Sequence, residues 1–291
     1  GVFTRSHQYT VYGIYTATVK LFDDDAPTGD TETFRVTVSD LPASSDDAFS
    51  LNEDSVIGGN VLDNDGKSGP DDDLDIRSID TMGTVGQVSN VITETGAFSY
   101  TAAGFFEPLA LGQQQPDSFR YTAINKVGFT NTATVNVTVI GVNDAPVLVL
   151  NATSRPFIED MGNTQLTPSL SIADVDNGAL ISRALITLTN PLDGAAEALI
   201  ATASPGSITV GYNSTTGVLT LSGNASLSSY QTLLRSVVYT NTDDTPTTTN
   251  RTLRFVVFDE HNAPSSLRTL TVTVQAKNDA PIVTLLPFTP T

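Results

Sequence analysis

Cysteine and tryptophan are absent from this 291-residue chain, and its histidines are limited to His7 and His261. Without cysteine there is no disulfide, thiol nucleophile, zinc–thiolate site or iron–sulfur cluster, and the redox compartment stays open. Two histidines in separate stretches make a poor zinc site, and a Ser-His-Asp triad would need one of them beside an activated serine. His7 reads as a packed or turn-capping residue. His261 lies in Asp259-Glu260-His261-Asn262, which reads as a polar hairpin. No Gly-x-Ser-x-Gly elbow and no glycine-rich phosphate loop leading into a helix occurs. With no tryptophan, the strong platform for stacking on sugars is missing as well. The chain reads as non-enzymatic.

Basic residues are also scarce: 14 Lys and Arg stand against 32 Asp and Glu, for a net charge of −18. Binding a phosphate backbone needs Lys and Arg to displace counterions, so nucleic acid is a poor partner, as are anionic membrane surfaces. No apolar run approaches the roughly 18 residues of a membrane span. The opening Gly1-Val2-Phe3-Thr4 lacks the basic-then-apolar order of a signal peptide. A divalent cation is the partner such acidity favours, provided the carboxylates cluster.

What the chain has is 39% hydrophobic residues, enough for packed cores, and a repeated phrase. Val137-Thr138-Val139-Ile140-Gly141-Val142-Asn143-Asp144-Ala145-Pro146 returns as Val272-Thr273-Val274-Gln275-Ala276-Lys277-Asn278-Asp279-Ala280-Pro281, and a third Val-Thr-Val stands at Val36 to Val38. The offsets are 101 and 135 residues, about one β-sandwich each. Val-x-Val alternation puts valines on one sheet face and polar residues on the other. Asn-Asp-Ala-Pro ends the strand, because proline has no N–H and Asn and Asp favour turns.

Strand-like runs fill the remainder: Tyr15 to Leu21, Thr33 to Val38, Ala97 to Thr101, Ser118 to Thr122, Ile208 to Val210, Val218 to Leu221 and Leu253 to Phe258. Asp193-Gly194, Thr216-Gly217 and Asn64-Asp65-Gly66 break them up, as in an antiparallel sandwich. Ser226 to Leu234 differs, spacing Leu227, Tyr230 and Leu234 at helical intervals behind capping serines. The predicted fold is all-β, with tandem antiparallel sandwiches in an elongated array and one short helix in the last complete domain. Residues 1–41 are expected to be the last strands of a truncated sandwich. Residues 42–142 and 143–277 form complete domains, and 278–291 begins a further repeat.

Three stretches resemble known families. His7-x-Tyr9-x-x-x-Gly13-x-Tyr15-x-x-x-Val19-x-Leu21-x-Asp23 resembles the C-terminal half of a PKD domain, an Ig-like sandwich. Asp46-Asp47-Ala48-Phe49, Asn52-Glu53-Asp54 and Gly59 to Asp65, closed by Val142 to Pro146, resemble the VCBS or cadherin-like repeat of large adhesins. Ile172-Ala173-Asp174-Val175-Asp176, Leu227 to Asn241, Phe258-Asp259 and Asn278 to Pro281 look like another cadherin-like repeat. The resemblance implies tandem stacking with calcium at the joints. The cadherin connector Asp-x-Asn-Asp-Asn lacks its first Asp and last Asn here, so one or two ions per joint are expected rather than three.

Calcium takes six to eight oxygen ligands. Asn143 and Asp144 are expected to be met by Glu159 and Asp160, near the top of the following domain, with Asp174 and Asp176 alternating onto one side. Asn278 and Asp279 repeat the connector. Glu53 and Asp54 belong to the same candidate set. Asp63 and Asp65 open the densest acidic patch, continued by Asp71, Asp72, Asp73 and Asp75; Asp23, Asp24, Asp25 and Asp30 form a similar loop. The alternative is that these are solvated turns. Asn136, Asn151, Asn213, Asn224 and Asn250 begin Asn-x-Ser/Thr sequons and are candidate glycosylation sites. The leading reading is an extracellular stalk segment of a giant cell-surface adhesin, whose partners are neighbouring repeats of the same chain. An extracellular filament subunit that meets other chains through sandwich faces or β-edges comes second, and a carbohydrate- or protein-binding module third.

Overall fold

The computed structural model describes residues 6–281 apart from 12, 23, 24, 26–28, 39, 40, 67–72 and 203–205. Asp23, Asp24, Asp71 and Asp72 therefore lie outside the described residues, as does most of the proposed last repeat. The chain divides into two compact units, Gly1–Val142 and Asn143–Thr291.

The first unit opens with β1 (Gly13–Leu21) and β2 (Asp30–Val38), an antiparallel pair that forms its own two-stranded sheet. His7 packs edge-on against Tyr9, with ring centroids 4.6 Å apart, and Tyr9 packs on Tyr15. A sandwich follows, made of β3 (Asp47–Asn52), β4 (Val56–Asn60), β5 (Asp75–Asp80), β6 (Gln87–Ile92), β7 (Ala97–Thr101), β8 (Gln114–Ile124) and β9 (Thr130–Ile140). One sheet runs β3-β9-β8-β5 and the other β4-β7-β6. The alternation read in sequence is the alternation that buries the core. Ala133, Val135, Val137 and Val139 are at most 4% exposed, while Asn136 between them is exposed. Phe98 on β7 meets Phe49 and Phe119 edge-to-face, each at 5.2 Å. Such buried side chains supply roughly 1.5–3 kcal/mol each.

The second unit contains β10 (Val147–Val149), β11 (Ser154–Ile158), β12 (Thr164–Gln165), β13 (Ser171–Ala173), β14 (Leu180–Leu188), a single 3-10 turn at Gly194–Ala196, β15 (Glu197–Ala201), β16 (Thr209–Asn213), β17 (Val218–Ser226), helix α1 (Leu227–Arg235), β18 (Val237–Asn241), β19 (Arg251–Asp259) and β20 (Arg268–Gln275). Its main sheet runs β11-β20-β19-β14-β17-β16, facing β12-β18-β15, with β10 paired to β13. Helix α1 starts where predicted: Ser226 caps it, its side chain accepting from the Ser229 N–H. Tyr230, Leu233 and Leu234 are its buried face, and the Tyr230 hydroxyl donates to the Gly223 carbonyl at 2.9 Å.

The strand pairing departs from an all-antiparallel sandwich in the same way in both units. A strand near the start of each sandwich pairs parallel with its last: β3 with β9, and β11 with β20. Alternating apolar residues specify a buried face but not the direction of the neighbouring strand. First and last strands that run the same way require a unit entered at one end and left at the other. Among the described residues, no helix is long and apolar enough to cross a membrane.

Candidate functional site

The parallel pairing delivers a glutamate to the end of each unit where the chain leaves. In the first unit Glu53 follows β3; its N–H donates to the Ile140 carbonyl at 2.9 Å, and its Oε1 accepts from the Val142 N–H at 2.8 Å. In the second unit Glu159 follows β11; its N–H donates to the Gln275 carbonyl at 3.0 Å, and its Oε2 accepts from the Lys277 N–H at 2.7 Å. Exposures are 0% and 4%. Each clamp grips the backbone just before Asn-Asp-Ala-Pro, and the two Asn-Asp pairs fold alike. Asn143 Nδ2 donates to the Asp144 carbonyl at 3.0 Å, and Asn278 Nδ2 to the Asp279 carbonyl at 3.1 Å.

Glu159 and Asp160 do not meet Asn143 and Asp144, which corrects the sequence expectation. Asn143 and Asp144 lead into β10, beside the start of β20, where Arg268 Nε donates to the Leu148 carbonyl. Glu159 and Asp160 follow β11, which runs parallel to β20 and finishes opposite Gln275. The length of β20 separates them. Glu159 Oε1 is buried with no hydrogen-bond partner. It lines a recess of about 340 Å³ with Asp160, Asn163, Asn241, Asp243 and Asp244. Asp160 is exposed and forms a 3.6 Å surface pair with Lys277. Asn278 and Asp279 are exposed. Asp243 and Asp244 were not anticipated; the signal was the acidic Asn-Thr-Asp-Asp run that begins at the end of β18.

At the start of the second unit, Asp174 and Asp176 do share a site with the connector. The Asp144 N–H donates to Asp176 Oδ2 at 3.0 Å, and the Asp176 N–H to Asp174 Oδ1 at 3.1 Å. Asp259, 1% exposed and read in the sequence only as part of the family phrase and the His261 hairpin, completes it. Its Oδ2 accepts from Asn143 Nδ2, and its Oδ1 from the His261 and Ala263 N–H groups, all at 2.8 Å. Asp174 Oδ2 and Asp176 Oδ1 are buried with no hydrogen-bond partner. Burial, reinforced by neighbouring carboxylates that include Asp259 and Glu260, raises both their pKa values against the lowering effect of the backbone N–H bonds. Buried, partnerless carboxylate oxygens that repel one another fit a hard cation.

A third group sits in the first unit. Asp65 Oδ1 accepts from the Ser45 N–H and the Tyr121 hydroxyl, both at 2.8 Å, and Asp46 Oδ1 from the Thr134 N–H at 2.7 Å. Asp47, 7% exposed, has its pKa pushed up to about 7 by burial and then by Asp65, Asp46 and Asp63. Asp63 and Asp54 are exposed. All five sequon asparagines, Asn136, Asn151, Asn213, Asn224 and Asn250, are on the surface. Asn213 Oδ1 caps the turn at Thr215, and Asn136 Nδ2 donates to the Asp47 carbonyl at 3.3 Å.

Two all-β sandwich units with carboxylates gathered at their ends define a class of repeat protein. Residues 39–138, about a third of the chain, match the family model described as "Bacterial Ig domain". Halomucin from Haloquadratum walsbyi is 29% identical over 166 residues, covering 52% of this chain and 2% of that protein. This chain thus spans a small fraction of the curated relative it matches. Similar solved structures include protocadherin gamma B2 extracellular cadherin domains 1-5, with 16% identity, 93% of this chain, 46% of that one and a TM-score of 0.40. Mouse cadherin-23 EC22-24 is another, with 16% identity, 94% of this chain, 78% of that one and a TM-score of 0.38.

Proposed function

We propose that this chain is a spacer segment of a large extracellular surface protein, its Ig-like units joined by connectors that bind calcium. The observation that carries this is the repeated glutamate clamp. Both units fasten the backbone entering Asn-Asp-Ala-Pro with a buried carboxylate from the turn after β3 or β11. Connectors held this way take their course from the unit they leave. Halomucin's similarity supports the extracellular setting and the large parent protein. Adhesion is the role such a spacer serves, by carrying a distal binding domain away from the cell.

The calcium ligands in this reading are Asp144, Asp174 and Asp176, oriented by Asn143 and Asp259, at the start of the second unit. Glu159, Asp160, Asn278 and Asp279 serve where that unit ends, and Glu53 and Asp54 where the first ends. Extracellular modules bind calcium with Kd of about 10⁻⁴–10⁻³ M. At tenfold excess over Kd the gain in stability is about 1.4 kcal/mol. Calcium titration followed by thermal unfolding tests it. The midpoint rises at millimolar calcium, and Asp176→Asn and Glu159→Gln each remove part of the rise. A midpoint indifferent to millimolar calcium rejects the proposal.

A further inference from the structure

We propose that Asn177, in the turn between β13 and β14, is a site of spontaneous covalent modification. Its side-chain amide is lost as ammonia, leaving an aspartyl or isoaspartyl residue. Asn177-Gly178 is the only Asn-Gly pair in the 291 residues. It occupies the two central positions of a turn whose Ala179 N–H donates to the Asp176 carbonyl at 3.3 Å. Gly178 takes φ +78°, the positive value that type II turns ask of their third residue and that glycine adopts without strain. Both residues are exposed, and the side of Gly178 where a Cβ would stand is open, with no atom within 4 Å.

The reaction needs an amide free to turn toward the chain, an unhindered backbone nitrogen after it, and water. Among the described residues, nothing hydrogen-bonds the Asn177 side chain, and the Gly178 N–H is not used by the turn. Glycine adds no side chain to shield that nitrogen. The Gly178 nitrogen attacks Asn177 Cγ. A new C–N bond closes a succinimide ring, and the bond from Cγ to Nδ2 breaks as ammonia leaves with the Gly178 proton. Water then opens the ring. Cleavage between Cγ and the Gly178 nitrogen gives aspartate. Cleavage between the main-chain carbonyl carbon and that nitrogen gives isoaspartate, with the chain running through Cγ. Other asparagines lack a requirement. Asn213 Oδ1 is held by the Thr215 and Thr216 N–H groups, and Asn151 Nδ2 donates to the Ser169 carbonyl. Asn143 is bonded through Nδ2, and the Asp144 N–H that follows it is spent on Asp176. The product places a carboxylate directly after Asp176, whose charge Glu260 and Asp259 already oppose. Isoaspartate also adds a methylene to the backbone that the turn bond from Ala179 to Asp176 must span.

Peptide mass mapping of the folded full chain tests this. The chain is held at mildly alkaline pH, which favours loss of the attacking proton, and is then digested in acid, where the reaction stops. The peptide carrying Asn177 gains the mass difference between an amide and an acid and splits into two chromatographic products, aspartyl and isoaspartyl. The peptides carrying Asn213 and Asn151 keep their mass over the same period. Asn177→Gln abolishes the shift, because the larger ring it would need closes far more slowly. Asn177→Asp starts from one product and still yields the isoaspartyl form, by loss and regain of water. An Asn177 peptide that keeps its mass in the folded chain overturns the proposal, as does conversion of Asn213 or Asn151 as fast as that of Asn177. In the guanidinium-unfolded chain the hydrogen bonds on Asn213 and Asn151 are gone, so their rates move toward that of Asn177. A gap that stays as wide after unfolding overturns the part assigned to the fold.

Discussion

Replacing Arg251 by methionine should be among the most damaging single changes in the second unit. Arg251 is fully buried on β19, and each nitrogen of its guanidinium is used. Nε donates to Glu197, Nη2 to Asp193 at 2.7 Å, and Nη1 to the carbonyls of Thr247 and Thr249. Glu197, 1% exposed, also accepts from the Tyr239 hydroxyl at 2.8 Å and the Leu192 N–H at 3.1 Å. Methionine keeps most of the volume but strands two carboxylates in the interior. Breaking a buried pair in this way costs about 3–5 kcal/mol, which lowers the unfolding midpoint by roughly 6–20 °C for a unit of this size. The loss should depend on pH with a definite sign. In the unsubstituted chain, burial of Asp193 is outweighed by bonds from Thr247 and Asn241 and by the Arg251 charge, which lower its pKa from the ordinary 3.8. Its contribution is fully present above that unfolded value and is lost as pH falls through the lowered folded one. The gap between the two proteins is therefore wider at pH 7.5 than at about pH 3. Denaturant unfolding at the two pH values, with hydrogen exchange on β15, β18 and β19, measures it. A gap under about 1 kcal/mol at pH 7.5, the scale of a surface pair, or a gap that does not narrow in acid, refutes the reasoning.

Asp47 gives the opposite signature in the first unit. Its folded pKa, pushed up to about 7, lies above the ordinary value of 3.8. Without divalent cations, its contribution is present at acid pH and about 4 kcal/mol is lost as pH climbs from about 4 to 7, at 1.36 kcal/mol per unit. Asp47→Asn flattens this slope in a stability-versus-pH series, and a slope that persists in that variant contradicts the assignment. Ser226→Ala removes the side-chain acceptor for the Ser229 N–H and should cost about 1 kcal/mol. Denaturant midpoints check this, and Ser226→Asn should restore most of the loss.

The sandwiches and the helix were legible because their signals are local. Val135, Val137 and Val139 announce a buried face by alternation alone, and Ser226 with Tyr230 and Leu234 announces a capped amphipathic turn. Strand direction was not legible, since β3 carries the same pattern whichever way β9 runs beside it. Glu159 was assigned to the wrong end for that reason. It follows Asn143 closely in sequence, but β11 carries it along the whole of β20 before the turn that holds it. Arg251 and Glu197 are 54 residues apart, and nothing near either one marks the other as its partner. Asp47 was seen only as part of a family phrase; that it points inward follows from the start of β3, which single-strand periodicity does not locate.

The clamps raise a question of chemistry that bears on function. Holding the Val142 or Lys277 N–H needs one acceptor oxygen, and a glutamine carbonyl would serve without burying a charge. Burying a carboxylate at 4% exposure, as at Glu159, is costly, more so in a chain of net charge −18 where few lysines or arginines are at hand. Glutamate at position 159 is economical only if its second oxygen has work of its own. In the second unit that oxygen, Glu159 Oε1, is buried without a hydrogen-bond partner, and the residue borders a recess with Asp160, Asp243 and Asp244. Oε2 fastens the connector to its unit; under the proposed function Oε1 would meet the ion, and one carboxylate would couple ion binding to connector geometry.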